Sequence, residues 1–443
     1  MKAVLLAAGE GRRLRPNFNR PKPLVPLLGI PLITRNILTL RKHGIKEIVV
    51  IIGCYGQEIK AHLGTGEKLG VKIRYIHNPD WRLGNGMSAY AFRKDYRPGE
   101  KFILMMADHI FQPNILQSFI AAAKKVKENE ILLAADRQLE TVHDLDECTK
   151  IKAEQEYARQ LGKNLPHFNA VDCGLFVGTS ALLNSLSNAI ALKQYALTDA
   201  VNMLAKSRQV RLHFVKGCWV DVDDQASYKH CEKLLLQSLV PPKDGFISRV
   251  LNRKLSLRIT KLLAPTGIKP NQITLCSFLL TLAAAAFFAG GYPLCGGLLA
   301  QLSSIVDGVD GEIARAKFLS SNYGGLLDGI LDRYGDFLLI MGMTYGWYSV
   351  TTGGVALLVG AAALIGAPMS MLFKEKFHAL MGKPYIPETH DGLCRYLPAN
   401  RDGRLFIIML GGILNLVPAA LVLLAVITHL QTAFRLCYAR HLM

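Results

Sequence analysis

The 443-residue chain carries nine cysteines but no C-x-x-C pair, which argues against a zinc ribbon or a secreted disulfide scaffold. Aromatic residues make up only 8% of it and do not interleave with basic clusters, so nucleic acid is not an expected partner. Acidic residues are few: 34 Asp+Glu against 52 Lys+Arg, a formal charge of +18. Such a balance suits phosphate-rich ligands or an anionic membrane surface. The most telling absence is of charge altogether. No Asp, Glu, Lys or Arg occurs from Pro270 to Val306, from Phe337 to Phe373 or from Leu405 to Phe434, gaps of 37, 37 and 30 residues. A spanning helix needs about 20 apolar residues, so the C-terminal part reads as a polytopic membrane domain. A half-hydrophobic composition excludes a disordered chain. The opening apolar run is followed at once by glycines and arginines with no cleavage-like site, so a signal peptide is not expected.

Three regions are expected: a soluble domain over 1–240, a basic linker over 241–270 and a membrane domain over 271–443. In the first, short apolar runs such as Ala3–Ala8, Glu47–Ile52 and Phe102–Ala107 alternate with helix-like stretches such as Leu32–Lys42. This is a βαβ pattern with a mostly parallel sheet, and ligands of such sheets bind just beyond the carboxyl ends of the strands. After the first run stands Leu6-Ala7-Ala8-Gly9-Glu10-Gly11-Arg12-Arg13-Leu14-Arg15-Pro16. Its glycines let backbone N–H groups approach a phosphate, and Arg12 and Arg13 add fixed positive charge. The prolines of Arg20-Pro21-Lys22-Pro23 hold the backbone extended and aim Lys22 at the same phosphate.

These two segments together resemble the sugar-phosphate nucleotidyltransferase family over about 1–235. The resemblance implies a Rossmann-like α/β domain in which Leu6, Ala7, Ala8, Gly9, Gly11, Arg12 and Lys22 hold a nucleoside triphosphate. Gly84, Asn85 and Ser88 fall in the family's base- and ribose-contacting loop. Asp108 falls at its magnesium-binding strand end, and either Asp221 or Asp223 completes that metal site. Lys163 stands where the family places a lysine on the sugar phosphate, although Gly162 replaces the usual preceding glutamate. Attack by a phosphomonoester on the α-phosphate with loss of pyrophosphate needs charge neutralisation and alignment, here by Arg12 and Lys22, and no protein nucleophile.

From Pro241 to Pro270, seven Lys and Arg face only Asp244, and Phe246, Ile247, Val250, Leu251, Leu255, Ile259, Leu262 and Leu263 recur at helical spacing. A basic amphipathic helix on the membrane interface fits; a linker helix packed on protein is the alternative. Beyond it, Asp307-x-x-Asp310-Gly311-x-x-Ala314-Arg315 is followed after eight residues by Gly324-x-x-x-Asp328-x-x-x-Asp332. Offsets of three and four put each pair on one helix face. Four facing carboxylates repel unless cations bridge them, which points to a two-metal site. If the first span crosses outward from the soluble domain's side, both pairs open on that side, and the basic connectors place it in the cytoplasm.

The whole pattern resembles the CDP-alcohol phosphotransferase signature and implies about six transmembrane helices and a homodimer. By that resemblance Asp307, Asp310 and Asp328 ligate the metals, with Asp332 near them as general base for the acceptor hydroxyl. The CDP group lies against Gly308, Gly311, Ala314 and Arg315. The loop Lys374–Arg404 offers Lys374, Lys383, Arg401 and Arg404 to an acceptor phosphate, or is simply a basic cytoplasmic loop.

In its order of domains the chain resembles the bifunctional inositol-1-phosphate cytidylyltransferase/di-myo-inositol-phosphate-phosphate synthase family. That resemblance implies CTP, inositol 1-phosphate and CDP-inositol as ligands, and Mg²⁺, with Mn²⁺ as an alternative, as cofactor: one site in the soluble domain and two ions in the membrane domain. The rival expectations are an enzyme transferring to a lipid hydroxyl, and a transporter with a nucleotide-binding head.

Overall fold

The computed structural model describes residues 1–241, 245 and 247–442. Lys243, Asp244 and Phe246 of the linker lie outside the described residues, as do the side chains of Arg15 and Pro16 in the first loop. The chain divides into two compact units, Met1–Leu235 and Leu236–Met443.

The first unit is built on a nine-stranded sheet. Its strands run in the spatial order Lys72–His77, Glu47–Ile52, Lys2–Ala7, Phe102–Met106, Ala170–Gly178, Ile131–Asp136, Val210–Phe214, Tyr157–Gly162 and Lys150–Glu154. The first four are mutually parallel, with Leu6 opposite both Ile51 and Met106. Period-two alternation divides each strand between two cores: Ala3, Leu5 and Ala7 on one face, Val4 and Leu6 on the other. The sheet is mixed, not mostly parallel. Ala170–Gly178 runs antiparallel to both its neighbours, Phe102–Met106 and Ile131–Asp136. Lys150–Glu154 and Tyr157–Gly162 form a hairpin, and Ala170–Gly178, after a short connection, pairs antiparallel with Lys150–Glu154, whereas a parallel partner demands a long crossover, usually a helix. A small ribbon pairs Trp219–Asp221 antiparallel with His109–Phe111, setting Asp221 opposite His109.

In the second unit, a basic helix over Arg253–Leu263 precedes long helices at Pro270–Ala289, Pro293–Ala316, Asn322–Thr351, Gly354–Met381, Arg401–Ile413 and Val417–Ala439. Among the described residues, three are long and apolar enough to cross a membrane: Pro270–Ala289, Gly354–Met381 and Val417–Ala439. Pro293–Ala316 and Asn322–Thr351 carry the aspartates, and Arg401–Ile413 has only 13 residues. Leu339, Met343, Ala363, Leu421 and Leu424 form the centre of their common core. The basic helix packs against Pro293–Ala316 with its polar edge. Ser248, Asn252, Ser256 and Thr260, four residues apart, are buried, while Leu251, Leu255 and Leu262 stay exposed.

Candidate functional sites: two carboxylate centres

In the first unit, two adjacent parallel strands end at Ala7 and Met106, and their loops deliver the Gly9–Gly11 turn and Asp108 to one place. Gly11 has a positive φ of 61° and lies so close to the Lys22 side chain that a Cβ there would collide with it. Pro21, at φ −55° and ψ 138°, leads into a turn at Lys22–Leu24. Lys22 is therefore buried, and its Nζ lies 2.6 Å from Asp108 Oδ2, 3.5 Å from Asp221 Oδ1 and in close contact with Asp223 Oδ1. Burial disfavours its ammonium, but the three carboxylates outweigh this and raise its pKa above the ordinary lysine range. For Asp108, burial works upward, while Lys22 and the His109 hydrogen bond prevail and hold it below the usual carboxylate range. Asp221 moves up, chiefly through burial.

Donor atoms of Asp108, His109 and Asp221 all lie within 4.8 Å of one another. His109 Nδ1 is 2.9 Å from Asp108 Oδ1; burial lowers its pKa, but Asp221 and Asp108 raise it to about 9. Asp223 instead gives one oxygen to Lys22 and the other to Arg13 at 2.5 Å. Sequence gives Arg13 only as positive charge beside the phosphate, not as the partner of Asp223, and does not single out His109, whose one available signal is that it directly follows Asp108. Arg12 itself points to solvent and pairs with Glu10 at 2.8 Å, although it lines the same cleft as Leu6, Ala7, Gly9 and Lys22.

Beside this cluster lies a cavity of about 410 Å³ whose wall includes Ala8, Gly84, Asn85, Ser88 and Lys163. Asn85 Oδ1 accepts from the Leu197 N–H at 2.8 Å, and the Ser88 hydroxyl accepts from Asn78 Nδ2 at 3.0 Å. Lys163 is largely exposed and pairs with Glu147 at 3.1 Å.

In the second unit, carboxylate oxygens of Asp307, Asp310 and Asp328 lie within 4.8 Å of one another. Asp307 Oδ1 and Asp328 Oδ1 are buried without a hydrogen-bond partner. An all-oxygen donor set with buried, unsatisfied atoms suits a hard divalent cation. Thr274 donates to Asp310 Oδ2 at 2.5 Å. Asp332 is held slightly apart: Arg401 Nη1 bridges Asp307 Oδ2 and Asp332 Oδ1, each at 2.8 Å. Arg404 is buried and committed to Asp336 Oδ2 at 2.5 Å and the Ala399 carbonyl at 2.9 Å. Lys383 is exposed and Lys374 half-buried, so the four cations proposed for an acceptor phosphate do not form one group of equivalent side chains. Gly308 accepts from Arg253 Nη1 at 3.1 Å, and Arg315 donates to the Leu239 carbonyl at 2.7 Å. A Cβ on Gly311 would approach the Arg315 guanidinium at 3.1 Å, and Ala314 is half-buried.

Two family models match the chain: nucleotidyl transferase over residues 2–238 and CDP-alcohol phosphatidyltransferase over residues 268–430. The chain is therefore an enzyme joining a nucleotidyltransferase domain to a membrane-type CDP-alcohol phosphotransferase domain, and both families use divalent metal ions. It is 35% identical to a bifunctional IPC transferase and DIPP synthase of Rubrobacter xylanophilus, over 95% of this chain and 92% of that protein. It is 32% identical to one of the same description from Thermococcus kodakarensis, over 99% and 96%. A solved inositol-1-phosphate CTP transferase from T. maritima covers 53% of this chain and 95% of its own, at 24% identity and a TM-score of 0.46. The chain belongs to the family of bifunctional IPC transferases and DIPP synthases.

Proposed function

We propose that the first unit converts CTP and myo-inositol 1-phosphate to CDP-inositol and pyrophosphate. The second then transfers phosphoinositol from CDP-inositol to a second inositol 1-phosphate, releasing CMP and forming the phosphorylated diester. The observation that carries this reading is the presence of two separate carboxylate centres, one per unit, in a chain that matches its relatives over nearly their whole length.

In the first reaction, Lys22 stands amid Asp108, Asp221 and Asp223 and supplies positive charge where the triphosphate's negative charge collects. The Gly9–Gly11 turn offers backbone N–H groups to the same phosphates. An oxygen of the incoming phosphomonoester attacks the α-phosphorus and the pyrophosphate oxygen departs, so alignment and charge neutralisation do the work. Asp108 and Asp221 are the residues that would hold Mg²⁺ here, and Asp307, Asp310 and Asp328 those that would hold two ions in the second site, where such ions offset phosphoryl charge. In the second reaction Asp332, one helical turn beyond Asp328, accepts the proton of the acceptor hydroxyl. Gly308, Gly311, Ala314 and Arg315 border the CDP group. Multiple membrane crossings with both sites on the cytoplasmic side, a lipid-facing basic helix Arg253–Leu263 within the linker and a homodimer complete the reading; the outward leucines of that helix support its place at the bilayer surface.

The test is to incubate the purified full chain with labelled CTP, Mg²⁺ and inositol 1-phosphate. Pyrophosphate release followed by CMP release into a water-soluble diester is expected. A lipid-soluble product or no turnover would overturn the reading.

A further inference from the structure

The cavity beside the first carboxylate centre contains a carboxylate that the chemistry above does not use. Asp172 lies on the strand Ala170–Gly178, whose side chains on that face include Ala170 and Phe176, both members of an apolar core. Strand alternation therefore calls for an apolar residue at this position. The pairing with Ile131–Asp136 slips just here: Asp172 opposes Ala135, but Leu133 is met only by Phe176. Such a bulge re-aims side chains next to active sites. Gly174 makes it possible with a φ of 71°, and a Cβ there would lie 2.6 Å from the His109 ring. The result is that Asp172 lines the cavity together with Leu161, Lys163 and His109.

Asp172 Oδ1 accepts from the Gly174 N–H at 2.7 Å. Among the described residues no Lys, Arg or His lies within ion-pair distance of it, and Lys163 in the same wall is turned to Glu147. Burial raises its pKa to about 6, against the Gly174 hydrogen bond and the charge of His109. Retaining a carboxylate without a contacting cation in a cavity wall, with only the more distant charge of His109 to favour it, costs stability, and that cost is offset when a ligand supplies donors. Neighbouring hydroxyls of a polyol are such donors and a phosphate is not; the cytosine amine and ribose hydroxyls are donors too, and a KM effect confined to CTP would reveal them.

We infer that Asp172 reads the polyol: its Oδ2 accepts hydrogen bonds from hydroxyls of the phosphorylated polyol, making it a specificity-determining residue of the first reaction. The inference rests on the proposed use of a polyol phosphate. A site built to bond hydroxyls rejects an analogue lacking one, because its own polar group is then left unpaired.

The test uses pyrophosphate release by the full-length wild type and by Asp172→Asn and Asp172→Ala, with inositol 1-phosphate, its monodeoxy analogues and glycerol 3-phosphate. In Asp172→Ala the KM for inositol 1-phosphate should rise about tenfold or more, with the KM for CTP within about twofold. At least one monodeoxy analogue should be discriminated against by the wild type and no longer by Asp172→Ala. An unchanged KM for inositol 1-phosphate, a rise confined to CTP, or identical analogue discrimination in wild type and variant would overturn the role of Asp172. Wild-type turnover of glycerol 3-phosphate instead of inositol 1-phosphate would overturn the proposed substrate, and an unchanged KM for it in Asp172→Ala would overturn the role of Asp172 as well. Turnover of neither overturns both.

Discussion

Asp221 and Asp223 are two residues apart, yet the ribbon with His109–Phe111 gives them different neighbours. Asp221 stands opposite His109 and joins Asp108 within ligand distance, whereas Asp223 has both oxygens engaged by Lys22 and Arg13. Asp223→Asn should lower pyrophosphate release by about 10–100-fold, the scale of an outer-shell loss, and Asp221→Asn by more; equal losses would contradict this division. Asp172 yields a pH prediction. Its pKa in the folded protein, about 6, lies above the ordinary 3.8, so the native state binds that proton more tightly than the unfolded one. The resulting stabilisation is present below about pH 3.8 and is lost as pH rises through 6. Asp172→Asn keeps the acceptor for Gly174 and removes the charge. At pH 8 it should therefore raise the melting temperature by a few degrees, the gain shrinking towards pH 4. At this scale strand-end position singled out Asp108, and the flanking prolines singled out Lys22. The role of His109 and the pairing of Arg13 with Asp223 were not legible, because they are fixed by the course of the ribbon and by a residue more than 200 positions away.

Among the elements, the basic helix Arg253–Leu263 shows how amphipathicity can be read and still leave a choice. Apolar spacing indicates a helix with a leucine face, but in the structure the face against protein is the small polar one. It meets Glu312, fully buried, which accepts from Arg253 Nη1 at 2.6 Å, Ser256 Oγ at 2.6 Å and Thr260 Oγ1 at 2.5 Å. One helical turn towards the N-terminus, Asn252 donates to Ser304 Oγ at 2.9 Å and accepts from Gln301 Nε2 at 2.6 Å. Polar pairing of this kind can hold helices together where the hydrophobic effect is weak, and it leaves the leucines exposed. Removing one partner of a buried ion pair costs about 3–5 kcal/mol. Because Arg253 also holds the Gly308 carbonyl beside Asp307, Glu312→Ala should lower the detergent-phase melting temperature and slow CMP release while leaving pyrophosphate release intact. Loss of pyrophosphate release with retained CMP release would refute this link. Glu312 sits inside the aspartate motif, but only packing shows which helix it serves.

The whole molecule is two units with a reaction each, and their separateness is testable. Asp108→Asn should stop CDP-inositol formation, and Asp332→Asn should let CDP-inositol accumulate. The two variants mixed in one vesicle preparation should restore the diester; a mixture that makes none would show that each chain must complete both steps itself. The sequence by itself determined the division into an α/β part and a part built of long uncharged helical runs. It also determined the aspartate pairs at three- and four-residue offsets and the glycine-rich strand end. These are short-range properties, set by helix and strand periodicity and by the length of uncharged runs. Only the tertiary structure decided the reversed direction of Ala170–Gly178 within the sheet, the choice of Asp221 beside Asp108, the Arg401 bridge between Asp307 and Asp332, and the place of half-buried Asp172 in a cavity wall. Each of these joins residues distant in the chain, and burial and electrostatic pairing act through space, so no local spacing encodes them.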